Sequence, residues 1–378
     1  MDQPTRLYES TRNGNVLYLA FELGRKEWKL GFAAQLGQRP RLRTIRAGDL
    51  VRLEEEIGRA QQRFGLQEPR VVSCYEAGRD GFWLHRFLIS QGVENVVVDS
   101  SSLEVNRRAR RAKTDRLDAE ALVSRLIRFT QGEKKVWSVV RVPTPEQEDG
   151  RHLSRELDVL KQEQTRHRNR LQGLLASQGI FLPIKKDFLE QLEAAVLWDG
   201  SSLGRGLWDR LRREYERLVQ VQEQIRQLEA ERKEAVEAAT DPALQKVQQL
   251  IALKGIGLLS AWLFVREFFG WRKFNNRREI AALAGLAPMP CQSGESLDRS
   301  QGISKAGNHR LRRMIIEIAW SWLRWQPQSQ LSLWFKERYG PGSRRSRRVG
   351  IVALGRKLLV ALWRYLETGI VPEGAILS

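Results

Sequence analysis

Short runs rich in Val, Leu and aromatic residues occupy the first 145 residues and are separated by turn residues. Such runs are typical of strands, and the first three in succession predict a meander. Segments with apolar residues three or four positions apart predict helices between the later runs. The predicted strands cover residues 16–22, 28–33, 41–47, 70–76, 95–99 and 136–142, and the predicted helices cover 49–64, 82–91 and a segment that begins near Asp115.

The order of these elements favours one fold class. Strands that alternate with helices after an opening meander predict an α/β domain of the ribonuclease H type over residues 1–145. In such sheets, residues at the carboxyl ends of strands line the functional crevice. Glu22 and Glu76 occupy two such ends.

Four acidic residues are therefore candidates for a single site. Asp115 and Asp118 lie three residues apart, on one face of a helix, and can join Glu22 and Glu76. Four converging carboxylates repel one another unless divalent cations neutralise them, which is the arrangement of a two-metal site on a phosphodiester. We expect these four residues to bind Mg²⁺, or Mn²⁺ in its place.

Residues 146–245 change in composition to Arg, Glu, Gln and Leu, with two heptad-spaced seams. The first seam consists of Leu153, Leu157, Leu160, Gln164, His167, Leu171 and Leu174, and the second of Leu211, Tyr215, Leu218, Gln222 and Ile225. This spacing predicts an antiparallel coiled-coil hairpin or a dimerisation arm, with His167 as a seam residue and not a catalyst.

Residues 246–378 are predicted to be mainly helical. Lys254-Gly255-Ile-Gly257 between two apolar segments predicts a helix-hairpin-helix, whose turn can hold a phosphate. From Arg299 to Arg364 there are 15 Lys and Arg residues against two acidic residues, so this is the most cationic part of the chain.

The net charge of the chain indicates which class of molecule it binds. The formal charge of +19 and the isoelectric point near 10.4 predict a polyanion, first of all DNA or RNA, and no apolar run is long enough to cross a membrane. Only Cys74 and Cys291 are present and no C-x-x-C pair occurs, which argues against a zinc site and a disulfide framework. The N-terminus has no hydrophobic signal region, so we expect a cytoplasmic, nucleoid-associated protein.

The residues expected to contact nucleic acid are basic or lie in glycine-containing turns. They are Arg107, Arg108, Arg110, Arg111, Lys113, Lys254, Gly255, Gly257, Lys305, Asn308, Arg310, Arg312, Arg313, Arg344, Arg345, Arg347 and Arg348. The last four, after Gly340-Pro-Gly342, are predicted to form an exposed basic loop. A serine in a Gly-flanked loop facing such cations could attack a phosphate, and physical reasoning leaves Ser293, Ser296, Ser300 and Ser304 open.

The order of motifs resembles a known family, the DEDD-type insertion-sequence transposases (family one-ten / eleven-eleven), which are bridge-RNA-guided recombinases. The resemblance covers nearly the whole chain. It is carried by Cys-Tyr-Glu76-Ala-Gly, Lys-Thr-Asp115-x-x-Asp118-Ala, Leu-Lys-Gly-Ile-Gly, Ala-Gly-Leu-Ala-Pro, Gln-Ser293-Gly and Ser304-Lys-Ala-Gly-Asn, with an acid after the first strand and a coiled-coil spacer.

The resemblance implies a RuvC-like domain over residues 1–145, a coiled-coil linker over 146–245 and a transposase domain over 246–378. It implies a noncoding bridge RNA that pairs with donor and target DNA, as in other guided systems. It also implies divalent metal at the four acids, Ser293 as the nucleophile of a covalent serine–DNA intermediate, and a homodimer or homotetramer with composite sites.

One departure from the family leaves other readings open. The first acid of the family is usually Asp, whereas this chain has Glu22, whose carboxylate is one methylene further from the backbone. A RuvC-like nuclease or junction resolvase that uses water as nucleophile is one rival. A catalytically decayed RNA- or DNA-binding derivative of a transposase is the other.

Overall fold

The computed structural model describes residues 14–103, 115–291 and 299–378. It divides the chain into two units, of which the first ends at Val142 and the second runs from Pro143 to Ser378. The second unit contains both the predicted spacer and the predicted C-terminal domain.

A five-stranded mixed sheet forms the centre of the first unit. Its strands are β1 (Val16–Leu23), β2 (Glu27–Ala33), β3 (Arg41–Arg46), β4 (Arg70–Glu76) and β5 (Glu94–Val98). The strand order is β3-β2-β1-β4-β5. The first three strands pair antiparallel as a meander, and β4 pairs parallel with both β1 and β5. The predicted meander and mixed α/β class are confirmed.

Helices cover both faces of this sheet. They are α1 (Leu50–Phe64), α2 (Trp83–Ser90) and α3 (Asp115–Thr130). Leu53 and Leu84, from α1 and α2, share a core with Leu17 of β1, whereas Leu122 of α3 shares the opposite core with Ala20. Because alternate residues of a strand point to opposite faces, a sheet covered on both sides needs continuous apolar strands, as β1 shows.

The predicted strand over residues 136–142 is wrong. Among the described residues of this segment, only Val139 forms a bridge, an isolated antiparallel one to Val98. Val136 and Trp137 are buried in the core that α3 covers. These two apolar residues therefore pack into the core, and the segment does not form a strand with a continuous ladder of hydrogen bonds.

α3 approaches the sheet closely at Gly31 of β2. A Cβ atom built on Gly31 would lie 3.1 Å from the carbonyl oxygen of Ala119 and 3.3 Å from Cγ2 of Val123. The helix backbone therefore lies directly on the strand at this point, which no larger residue would permit without a shift.

Helices dominate the second unit. They are α4 (Pro145–Asp149), α5 (His152–Ala176), α6 (Phe188–Glu193), α7 (Arg205–Ala238), α8 (Pro242–Ile251), α9 (Leu258–Phe264), α10 (Arg277–Leu283), α11 (His309–Trp325), α12 (Gln330–Tyr339) and α13 (Arg344–Thr368). A two-stranded antiparallel ladder, β6 (Pro288–Cys291) and β7 (Arg299–Ile303), follows α10. In the part of the chain that the structure describes, no helix has both the length and the apolar character to cross a membrane.

α5 and α7 form a long antiparallel pair. Lys161 pairs with Glu229 at 2.8 Å, and His167 pairs with Glu214 at 2.7 Å. Residue numbers therefore increase along α5 as they decrease along α7, and the two helices run in opposite directions. His167 lies in the seam, as predicted.

The predicted seam of α7 is wrong by one residue at two positions. The buried residues are Glu214 and Val221, where Tyr215 and Gln222 were predicted. Heptad spacing allows either choice, and partners across the pair decide it: His167 lies against Glu214, whereas the Tyr215 ring packs on Phe188 with centroids 4.9 Å apart.

A test of the α3 contact is the substitution Gly31→Val. We expect it to lower the free energy of unfolding by about 1–3 kcal/mol, because the new side chain meets the backbone of α3. Gly58→Val on α1 is the matched control, since no atom lies within 4 Å of a Cβ there. Equal stability of the two variants in urea unfolding would contradict the proposed close approach.

Candidate functional site

The first candidate region is the edge of the sheet where β1 and β4 end. These strands are parallel neighbours, with Phe21 opposite Tyr75, so Glu22 and Glu76 follow at the same edge. Tyr18 and Ala20 of β1 belong to the core that α3 covers. By strand alternation Glu22, and likewise Glu76, lies on that same face.

α3 brings its first turn to this edge. The Thr130 hydroxyl near its end lies 3.4 Å from the Tyr18 hydroxyl, near the start of β1, whereas Ala119 lies against Gly31, further along the sheet. The helix therefore runs antiparallel to β1. Its first turn, with the positions of Asp115 and Asp118, is placed at the carboxyl end of β1, where both glutamates lie.

The four-acid metal site stays a prediction. No three His, Cys, Asp or Glu residues among those described are grouped so that they could hold a metal ion, and the side chain of Asp115 lies outside that description. Carboxylate oxygens are hard donors of the kind that Mg²⁺ binds, together with water. Arg107, Arg108, Arg110, Arg111 and Lys113 also lie outside the described residues.

The second candidate region is formed by two motifs of the second unit, which we call the glycine platform: residues 283–288 and 304–308. Three backbone N–H groups of the later segment donate to carbonyls of the earlier one. The pairs are Ser304 to Ala287 at 2.9 Å, Lys305 to Gly285 at 3.1 Å, and Asn308 to Leu283 at 3.0 Å. The two segments, which are separated in sequence by residues 289–303, are therefore joined through their main chains.

Glycine is required at two positions of the platform. Gly285 has φ +68° and Gly307 has φ +93°, in the left-handed region. A Cβ on Gly285 would lie 2.1 Å from the Ala306 carbonyl oxygen, and one on Gly307 would lie 2.1 Å from that of Leu283. Both conformation and space exclude a side chain.

The platform lies at one end of the β6–β7 ladder. β6 begins at Pro288 and β7 ends at Ile303, so the ladder leaves directly from the two platform motifs. Ser293 and Ser296 belong to the connection between the strands, outside the described residues. Of the other two candidate serines, Ser300 lies in β7 and Ser304 belongs to the platform itself.

A buried carboxylate fastens α5 to the platform. Glu267 is 2% exposed and accepts hydrogen bonds from Arg155 of α5 at 2.9 and 3.2 Å. The Asn308 side-chain amide donates to Glu267 at 3.3 Å, while its oxygen caps α11. Burial alone would raise the pKa of Glu267, but the hydrogen bonds from Arg155 and the charges of Arg151 and Arg310 bring it below 4.5.

Sequence reasoning missed Glu267 and Arg155. A usable signal was present, since Glu267 is a lone acid in the apolar run from Leu263 to Phe269. A charge in such a run requires a buried partner.

Several residues expected to contact nucleic acid also have structural partners. Arg310 pairs with Asp158 at 2.9 Å, and Arg312 donates to the Ala284 carbonyl at 3.4 Å. Lys305 is exposed, as is the side chain of Arg313 at 60%.

The turn between α8 and α9 has a packing role. Gly255 has φ +93°, and a Cβ there would lie 2.9 Å from Cβ of Trp325. The Lys254 ammonium lies 5.8 Å from the centre of the same indole, and Gly257 precedes the first residue of α9. Phosphate binding by this turn stays a prediction.

The basic loop predicted after Gly342 is a helix. Ser343 caps α13, and its hydroxyl accepts from the Ser346 N–H at 3.3 Å. The side-chain cap explains why the helix begins immediately after the Gly-Pro-Gly turn. The four arginines Arg344, Arg345, Arg347 and Arg348 are exposed in its first turns.

Comparison with known proteins gives independent information. Residues 247–333, which include the platform, match the family described as Transposase IS116/IS110/IS902. The chain is 43% identical over 378 residues to a Sinorhizobium fredii protein named as a transposase, y4rJ, with 96% of this chain and 95% of that protein covered. It is 27% identical over 264 residues to the transposase for insertion sequence element IS1328 of Yersinia enterocolitica, with 68% and 73% covered.

These matches define the class as transposases of insertion sequences, which act on DNA. The chain belongs to the IS116/IS110/IS902 family of transposases.

The glycine platform can be tested with two glycines of similar conformation. Gly307→Ala should lower the free energy of unfolding by about 3 kcal/mol or more, since strain and a backbone clash combine. Gly302→Ala, at φ +90° with no atom within 4 Å, should cost only about 1 kcal/mol. Similar losses for both in denaturant unfolding would contradict the close approach.

Glu267 predicts a pH dependence of stability. Because its folded pKa is lowered, the carboxylate stabilises the fold above its ordinary value of 4.5, and this contribution is lost as pH falls through the folded value. Glu267→Gln should therefore cost about 1–3 kcal/mol near neutral pH and less in acid.

The control for that experiment is Glu229→Gln, which removes a half-exposed partner of Lys161 and should cost below about 1 kcal/mol. The measurement is urea unfolding across the acidic range. A cost of Glu267→Gln that does not shrink on acidification would rule out the assigned role of the charge.

Proposed function

We propose that this transposase cuts, exchanges and rejoins DNA strands of its own mobile element, with the Ser293 hydroxyl as nucleophile and a noncoding bridge RNA as guide. The observation that carries the proposal is the glycine platform. It holds both strands of the β6–β7 ladder at the end where Pro288 pairs with Ile303, and the connection between the two strands contains Ser293. A nucleophile needs this kind of rigid support on both sides.

The proposed chemistry is transesterification. The Ser293 oxygen forms a bond to a DNA phosphorus, the bond from that phosphorus to the leaving deoxyribose oxygen breaks, and the leaving oxygen takes up a proton. The resulting phosphoserine ester conserves the energy of the broken bond, so a hydroxyl of another strand can attack it, release the serine and rejoin the DNA.

We assign divalent cation binding to Glu22, Glu76, Asp115 and Asp118. Support comes from the shared edge of β1, β4 and the first turn of α3. A Mg²⁺ or Mn²⁺ ion there would supply charge stabilisation at the phosphate. The RuvC-like assignment of the first unit, with the ribonuclease H fold, belongs to this proposal and is supported by the meander followed by parallel strands.

RNA guidance and assembly complete the proposal. A net charge of +19 supports binding of more than one nucleic-acid strand, with base pairing supplying specificity. We assign the α5–α7 pair as the arm through which two or four copies assemble, so that one copy can complete the site of another.

A second candidate is a metal-dependent nuclease or junction resolvase that uses water as nucleophile. The carboxylate edge favours it, because all four acids assigned to that edge belong to the first unit. A decayed, binding-only derivative is the third reading and is motivated by Glu22 at the first acid position.

Ser293→Ala decides between these functions, with Ser296→Ala as the control in the same segment. We expect Ser293→Ala to abolish a denaturant-resistant protein–DNA adduct and strand exchange, whereas Ser296→Ala retains both. The assay is purified protein with Mg²⁺, the flanking noncoding RNA and labelled donor and target DNA, read on denaturing gels.

Each other outcome favours a rival. Hydrolytic cleavage that survives Ser293→Ala but is lost in Glu76→Gln supports the nuclease. Absence of cleavage, adduct and exchange from the unmodified protein, when RNA and both DNA substrates are bound, supports the binding-only derivative.

A further inference from the structure

A groove in the second unit is lined by residues to which no function was assigned above. It is bounded by the start of α10, the second half of α13 and the chain from Ile370 to Glu373, with a cavity volume of about 1180 Å³. Small-molecule pockets are commonly about 300–1,000 Å³, so this groove is larger than most of them.

The rims of the groove are cationic. Arg277 and Arg278 line one side, and Arg356, Lys357 and Arg364 line the other, along α13. The lining includes a single acidic residue, Glu373.

The arginines of the groove are available for a partner. Among the residues that the structure describes, none forms an ion pair with any of these four arginines. Elsewhere in the second unit arginines are commonly paired, as Arg155, Arg266 and Arg310 are. Four unneutralised guanidinium groups around one concavity create a positive potential that favours a polyanion.

The floor of the groove is apolar. Val360 and Ala361 of α13, Leu331 of α12 and Val371 line it together with the Trp363 indole. The indole is half-buried and meets the Phe274 ring edge-on, with centroids 6.4 Å apart, so it is held in place. A fixed aromatic ring between rows of cations is the arrangement that binds single strands, with phosphates at the cations and bases on the ring.

We propose that this groove binds a single-stranded segment of nucleic acid. A duplex keeps its bases stacked inside and would leave the apolar floor unused. An acidic peptide would satisfy the rims, but the half-buried indole and the apolar floor favour bases. The inference depends on the proposed function only in taking a nucleic acid as the partner, and it uses none of the residues assigned to chemistry.

The test uses the full chain and fluorescein-labelled oligonucleotides of about 15 residues, long enough for one site, as single-stranded DNA, single-stranded RNA and duplex DNA. The groove variant is Arg278→Gln/Arg356→Gln/Arg364→Gln. The control is Arg39→Gln/Arg46→Gln/Arg63→Gln in the first unit, which removes the same charge from exposed arginines that form no ion pair with any described residue.

We expect the groove variant to bind single strands about tenfold or more weakly, with the slope of log affinity against log salt reduced by about 2, since each lost single-strand contact contributes about 0.7. The control should stay within about twofold. Trp363→Leu should weaken binding without changing the salt slope, because it removes stacking and no charge. A comparison of the DNA and RNA strands identifies the natural occupant.

Three results would overturn the inference: equal losses for the groove variant and the control, equal losses for single strands and duplex, or unchanged binding by Trp363→Leu that retains the thermal unfolding midpoint of the unmodified protein. Photocrosslinking of a 5-iodouracil strand provides a second readout, and crosslinks that avoid residues 360–364 would also overturn it. Binding by Ser293→Ala separates this proposal from the chemistry, because loss of the adduct with intact groove binding leaves the inference standing.

Discussion

The close approach of Gly285 and Gly307 to the opposite backbone is the constraint on which the second unit depends. It lets two main-chain segments hydrogen-bond directly, so that α10, the β6–β7 ladder and α11 all diverge from one rigid point. Side-chain contacts would allow rotamer changes between these elements, whereas main-chain contacts do not. The family match centres on this same stretch, which agrees with a function that depends on the geometry of the platform.

The charge of the protein is divided between interior and surface. Two buried carboxylates each lie among several basic side chains: Glu56 contacts Arg41, Arg52 and Arg59, and Glu214 contacts His167 and Arg170. In Glu56, as in Glu267, burial would raise the pKa, and the adjacent arginines lower it instead. The carboxylates of these clusters are therefore paired inside the protein, and much of the excess positive charge remains at the surface, where it favours DNA.

Sequence patterns predicted the sheet well because its signals are local. The five strands and three helices of the first unit follow from runs of apolar residues, and the shared edge of Glu22 and Glu76 follows from strand direction. Two of the errors had different causes. The arginines after Ser343 are helical because the Ser343 hydroxyl, a local side-chain cap, begins a helix there. Glu214 is buried because α5, which is distant in sequence, supplies His167 and Arg170 as partners.

Other features could not be derived from sequence for the same reason. The groove combines Arg278 with Arg364, and Glu267 combines with Arg155, and in each case the partners are distant in the chain. A periodic pattern along the sequence does not indicate contacts between residues this far apart. Ser293 was chosen as the expected nucleophile through the resemblance to a family, because composition alone did not distinguish it from the neighbouring serines.

The arginines of α13 affect the stability of that helix when no nucleic acid is bound. Four arginines occupy the positive end of the helix dipole, where cations destabilise a helix, and the same helix carries two further arginines into the groove. Phosphates at these positions would relieve the repulsion. Nucleic acid would then act on α13 as a stabilising ligand, and by mass action the apparent stability of the folded protein would rise with the concentration of free nucleic acid.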